Sequence, residues 1–287
     1  MTSETKRQSS SVAISVVLFL LVRIVGEAIA STFSPTAALA AEAATLLLSA
    51  LFPLLLFLWM RPCAASAVGF GLPRKRDLRY LLLLPLFVVS VSLLASALTA
   101  VFERLGYRYE PALSSDPLHL LVFAALLPAL SEELLCRYLC IAPLGNGRPT
   151  GAVWISAILF SVLHTNPVQI PYALFAGLFL GAVAVLTRSV WVPILFHLTN
   201  NLVSAVFFLL GEGAGKSLFE GVLLSLAVLS IPLLLCRWKR GGSILASLLD
   251  AMRPRKSDLL LILEHLLSPI SIPILLCLWL TTISCFA

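Results

Sequence analysis

Charge is scarce in this chain. Asp, Glu, Lys and Arg make up 12% of its 287 residues, and 60% of the residues are hydrophobic. Soluble globular proteins carry about 25% charged residues. With a mean hydropathy of +1.01, the composition excludes a soluble domain and gives an integral membrane protein. Histidine is rarer still, with four in all. The cysteines are Cys63, Cys136, Cys140, Cys236, Cys277 and Cys285, and no two are spaced as CxxC. All but Cys63 lie within or beside apolar runs, which argues against a disulfide framework. Cys136 and Cys140 read as small packing residues. The chain has no dinucleotide glycine fingerprint, no P-loop, no zinc-ribbon spacing and no His-Glu-x-x-His. Its net charge is +6, but the basic residues gather at the ends of apolar runs, as topology signals do. A nucleic-acid partner is therefore not expected.

What the chain has in abundance is apolar runs of about 20 residues, the length of a helix that crosses a bilayer. The runs predict spans near 12–30, 38–60, 80–102, 118–141, 151–164, 170–187, 191–210, 217–236 and 269–286. The fold class is all-α, a polytopic transmembrane bundle of about eight or nine spans. The fifth run is short and reads as embedded among its neighbours; 259–267 is too short to cross. The organisation is N-terminal helices over 1–117, a membrane core over 118–210, and C-terminal helices with a basic linker over 211–287. Lys6 and Arg7 place the N-terminus in the cytoplasm by the positive-inside rule. Arg61, Arg74, Lys75, Arg76, Arg79, Arg148, Arg188, the 237–240 run and the 253–256 run then fall on the same side. The plasma membrane is the expected location. Ala28-Ile-Ala30 resembles a signal-peptidase site. The preferred reading keeps the first run as a span, with Arg23 and Glu27 paired at i and i+4.

Against this background Glu132, Glu133 and Arg137 stand out, because ionisable groups in hydrocarbon are costly and mark function by default. Glu133 and Arg137 are i and i+4 and can pair on one helix face. Glu132 is rotated about 100° away, and its own i+4 neighbour, Cys136, cannot neutralise it. The asymmetry leaves Glu132 free for proton chemistry, with Glu133 and Arg137 as support. A polar patch that glues helices or lines a transport path is the plainer alternative.

His164 closes the fifth run, with Phe160 one turn before it, and Thr165-Asn166-Pro167 ends the helix. A helix-end histidine is by itself more often a capping group. His197 and Asn201 share a face of the seventh run, as two donors for an oxyanion or as ordinary interhelical hydrogen bonds. Counted at ~1.5 Å per residue from the span ends, all four groups fall within about two turns of one depth. Such convergence is what a site requires.

Glu-Glu-x-x-x-Arg at 132–137, Phe-x-x-x-His at 160–164 and His-x-x-x-Asn at 197–201 occur in this order on successive membrane segments. The arrangement resembles the CAAX prenyl endopeptidase family, also called CPBP or Abi intramembrane proteases, over roughly 118–210. The resemblance implies an endopeptidase that cuts a membrane-associated or lipid-anchored protein or peptide. It implies that Glu132 and His164 activate water, that His197 and Asn201 hold the oxyanion, and that Glu133 and Arg137 support the site. The partners are membrane lipids and a peptide substrate, lipidated in the eukaryotic relatives. No cofactor is required in this reading. The alternative within the enzyme class is zinc on Glu132, His164 and His197. Outside it stand a transporter using Arg23, Glu27 and Glu42 as well, and a non-enzymatic binding or immunity protein.

Overall fold

The computed structural model describes residues 3–60, 67–108, 114–145, 149–236 and 242–286. Arg61, Cys63, Arg148 and the basic run 237–240 lie outside the described residues, and with them part of the positive-inside pattern. The architecture is helical, and the described residues contain no strand beyond a single parallel bridge, Gly69 to Ser189. Eleven helical segments are named here: α1 (Ser3–Ala30), α2 (Pro35–Met60), α3 (Leu84–Arg104), α4 (Pro117–Leu144), α5 (Pro149–Val162), α6 (Gln169–Thr187), α7 (Trp191–Leu210), α8 (Ala214–Leu235), α9 (Ile244–Met252), α10 (Lys256–Leu266) and α11 (Ser271–Phe286).

Seven of these helices are long and apolar enough to cross a membrane, and an eighth span results if α10 and α11, which meet at 73°, count as one. The protein is thus an integral membrane helical bundle. The apolar runs suggested eight or nine spans, and the upper figure counts α5. At 14 residues it is about 21 Å long, short of the ~30 Å hydrocarbon layer. Its side chains are buried almost all round, from Gly151 to Val162, so it is solvated by protein and has no need to match the lipid. The outer helices behave oppositely. Leu21, Leu55, Leu229 and Trp279 are each more than half exposed, which marks surface built for acyl chains.

Where helices meet, small residues set the distance. A Cβ on Gly177 of α6 would lie 2.9 Å from the Ala157 backbone of α5, so the two helices touch main chain to main chain. Close approach of this kind is how helices associate where no hydrophobic drive exists between them. The α5–α6 turn is shaped by Thr165, at φ 47°, and by Asn166, whose Oδ1 accepts from the N–H groups of Val168 and Gln169 at 2.9 and 3.2 Å. Ser9 Oγ and His265 Nδ1, 2.7 Å apart and buried, tie α10 to α1.

The helix that carries the two adjacent glutamates is irregular. Leu120–Leu126 and Leu134–Ile141 are π-helical. A proline follows each, Pro128 and Pro143. Proline has no N–H and crowds the carbonyl four residues back, here those of Ala124 and Leu139. Widening the preceding turns relieves both problems.

Gly177→Ala tests the packing. In an open helix this exchange is favourable by about 0.5–1 kcal/mol. Here the added carbon meets backbone, and overpacking costs about 1–3 kcal/mol. The expected outcome is a lower unfolding temperature in detergent than that of the unsubstituted protein.

Candidate active site

Glu133 is the most heavily committed side chain in the interior. It is fully buried, as is Arg137. Arg137 Nε donates to Glu133 Oε2 at 2.8 Å, and its Nη2 reaches Oε1 at 3.4 Å. The i, i+4 pair expected from the sequence therefore forms, across the junction where α4 passes from α-helix to π-helix. The remaining Arg137 nitrogen, Nη1, donates to Ser156 Oγ at 2.8 Å. Ser156 in turn donates to the Cys136 carbonyl at 2.7 Å, an acceptor the π-turn brings within reach of α5. The guanidinium carbon lies 4.9 Å from the Phe160 ring centroid, a cation–π contact.

His197 is the second partner of Glu133. Its Nδ1 lies 3.0 Å from Glu133 Oε1. A carboxylate only accepts, so Nδ1 carries the proton and Nε2 is left with its lone pair. The sequence reading set His197 beside Asn201 as two donors. In this structure Nδ1–H is engaged by Glu133, and Nε2 donates once the ring is an imidazolium. Asn201, half-buried one turn further along α7, forms no side-chain hydrogen bond among the described residues, and its NH₂ is a donor in any protonation state.

His164 is set in the same way by a different acceptor. Its Nδ1 lies 2.8 Å from the Phe160 carbonyl oxygen, so again Nδ1 holds the proton and Nε2 is the basic atom. Both imidazoles stand edge-on to the Phe160 ring, at centroid distances of 5.0 Å for His164 and 5.5 Å for His197. Ser156 and Phe160 fall at i and i+4 on one face of α5, and His164, four residues further on, lies in the turn that follows the helix. Sequence reasoning missed Ser156, although that spacing from the histidine was its available signal.

Glu132 faces away from this network. It makes no hydrogen bond or ion pair among the described residues and is only partly buried. It lines two cavities. The first, about 300 Å³, is shared with His164, Leu163, Thr165, Phe19, Leu20, Ile24 and Leu280. The second, about 410 Å³, runs between α1 and α2 past Glu42, Thr45 and Phe123. Arg23 and Glu27 line both. Thus the structure puts Glu132 and His164 on one cavity wall, and His197 behind Phe160 on Glu133. Chemically, the cavity offers an unpaired carboxylate and a basic imidazole nitrogen to a water molecule. Among the described residues no three His, Cys, Asp or Glu side chains are grouped to hold a metal ion, and His197 is turned to Glu133 rather than to Glu132.

The buried pair has a measurable consequence. Arg137→Met leaves the Glu133 carboxylate short of its main counter-charge, a loss of about 3–5 kcal/mol. Combining it with Glu133→Gln removes the stranded charge and should recover most of that loss. Thermal unfolding of the two variants in detergent checks the order.

Comparison with known proteins adds one match. Residues 114–203 fit the family model described as Rce1-like, type II CAAX prenyl endopeptidase Rce1-like. No curated protein and no solved structure matches the chain. The matched stretch begins ahead of α4 and ends in α7, so it contains Glu132, Glu133, Arg137, Phe160, His164, His197 and Asn201 and leaves out α1 and α2. Over this segment, which carries every motif residue of the candidate site, the chain is similar to the type II CAAX prenyl endopeptidases, a family of membrane-embedded peptide hydrolases.

Proposed function

We propose that the chain hydrolyses a peptide bond of a membrane-associated protein or peptide, with a lipidated tail as the candidate substrate. Glu132 is the general base and His164 its partner. The observation that carries this reading is the division of labour between the two adjacent glutamates. Glu133 is consumed by Arg137 and His197, while Glu132, on the cavity wall it shares with His164, has no partner among the described residues.

Water adds to the scissile carbonyl carbon as Glu132 takes its proton, and His164 Nε2 accepts the other O–H as a hydrogen bond and orients the water. The carbonyl oxygen becomes an oxyanion. The Asn201 NH₂ and His197, as an imidazolium stabilised by the Glu133 carboxylate, hold that charge. The C–N bond then breaks as the proton on Glu132 passes to the leaving amine, the remaining O–H proton of the new acid follows it by way of His164 Nε2, and a carboxylate and an ammonium depart. No step uses a metal. The N-terminus is cytoplasmic and the plasma membrane is the site of action in this reading, supported by the basic residues that follow α2.

Glu132→Gln keeps the shape and removes the base. It should slow cleavage of a farnesylated peptide in proteoliposomes by about 100- to 10,000-fold, and His164→Ala by a similar factor. Product mass spectrometry reads both. Cleavage by Glu132→Gln at the unsubstituted rate would end the proposal. A chelator should leave the rate unchanged; loss with chelator and recovery with zinc would replace the mechanism by a metal-dependent one.

A further inference from the structure

The cavity wall holds a second pair of ionisable groups that neither the matched segment nor the proposed chemistry uses. Arg23 and Glu27 lie on α1, outside residues 114–203. Both line both cavities, and the only other residue to do so is Glu132. The pair therefore stands where the two cavities join, at the carboxylate proposed to activate water.

Its hydrogen-bonding capacity is only half used. Arg23 Nε and Nη2 both reach the same oxygen, Glu27 Oε1, at 3.0 and 2.9 Å. Glu27 Oε2 and Arg23 Nη1 are without a partner among the described residues. The other polar groups nearby are largely occupied: Thr45 Oγ1 donates to the Ala41 carbonyl, Ser31 Oγ to the Ala28 carbonyl, and Glu42 faces His119 at 3.4 Å. Phe19, Leu20, Ile24, Leu163 and Leu280 supply no hydrogen bond to a ligand.

A substrate entering this place brings a specific demand. A bond inside a helix has its carbonyl and N–H satisfied and its carbon shielded, so a segment must be extended to be cut. Extension frees main-chain N–H and C=O groups, which hydrocarbon cannot satisfy and which therefore need partners on the protein. Arg23 and Glu27 present one free donor and one free acceptor side by side, with no net charge between them. That is the complement of a peptide unit, which has one acceptor and one donor and is itself neutral. A lone cation or a lone acid would instead select a charged side chain.

We propose that the Arg23–Glu27 pair clamps the main chain of an extended substrate segment beside the scissile bond, and so acts as a positioning site on α1. This rests on the protease reading and deepens it: the substrate is recognised here by its unfolded backbone, not by a charged side chain. Arg23 receives a carbonyl oxygen, and Glu27 receives an N–H.

The test uses a fluorescein-labelled, farnesylated nonapeptide and a copy N-methylated at the residues flanking the lipidated cysteine, on the full chain in nanodiscs. Binding is read by anisotropy in a Glu132→Gln background, and KM and kcat in the active chain. The double variant Arg23→Met, Glu27→Met should raise Kd and KM about tenfold, the loss of one or two hydrogen bonds, with kcat changed little. The swap Arg23→Glu, Glu27→Arg keeps a donor beside an acceptor and should restore most of the affinity. N-methylation should weaken binding to the parent and make little further difference to the double methionine variant. Overturning results are an unchanged Kd in a methionine variant that unfolds like the parent, equal sensitivity of both proteins to N-methylation, or no binding of the nonapeptide by the parent. The binding arm does not depend on turnover, so rapid cleavage by Glu132→Gln would defeat the protease reading separately.

Discussion

A single buried carboxylate organises the interior. Glu133 has no contact with solvent, and a charge in that position persists only if it is paired and hydrogen-bonded. Arg137 and His197 both serve it, and Arg137 reaches on to Ser156. The three partners sit on α4, α7 and α5. Satisfying one charge thus joins the three helices that carry the family motifs. Phe160, lying under the guanidinium and against both imidazoles, fills the remaining side of that joint with apolar surface.

From this commitment the character of the neighbouring groups follows. With Glu133 holding His197 through Nδ1, the free nitrogen of that ring is Nε2. With the Phe160 carbonyl holding His164 through Nδ1, the same is true of the second ring. Glu132, one residue from the buried hub, is turned out by the helical rotation of its own backbone onto the cavity that α1 closes. Two glutamates adjacent in sequence therefore occupy opposite electrostatic situations, one neutralised inside protein and one open to a ligand. The α1 helix matters here because it supplies the far wall and its own charge pair, although it lies beyond the stretch matched by the family model.

Much of this was legible in the order of residues. Apolar runs gave the helical membrane class directly, and the i, i+4 spacing of Glu133 and Arg137 gave their ion pair. The rotation between Glu132 and Glu133 gave their divergence. The hydrogen bond from His197 to Glu133 was not legible, because it joins residues 64 apart in sequence and no local period encodes it. Ser156 was overlooked because serine is common in membrane helices, and only the position of Arg137 distinguishes this one. The upper span count includes α5 for a related reason: hydropathy reports that α5 avoids water, and only its shortness points to protein rather than lipid around it.

By its own pattern the chain decides what local physics controls: which stretches leave water, where proline widens a turn of α4, and which side chains share a helix face. The tertiary arrangement decides the rest. It determines which face of α5 meets Arg137, which imidazole nitrogen keeps its lone pair, and that Arg23 and Glu27 of the first helix line the cavity of Glu132. The division has a physical origin, since helical periodicity acts over a few residues, whereas the pairing of buried charge is settled by the cost of leaving any one of them alone across the whole bundle.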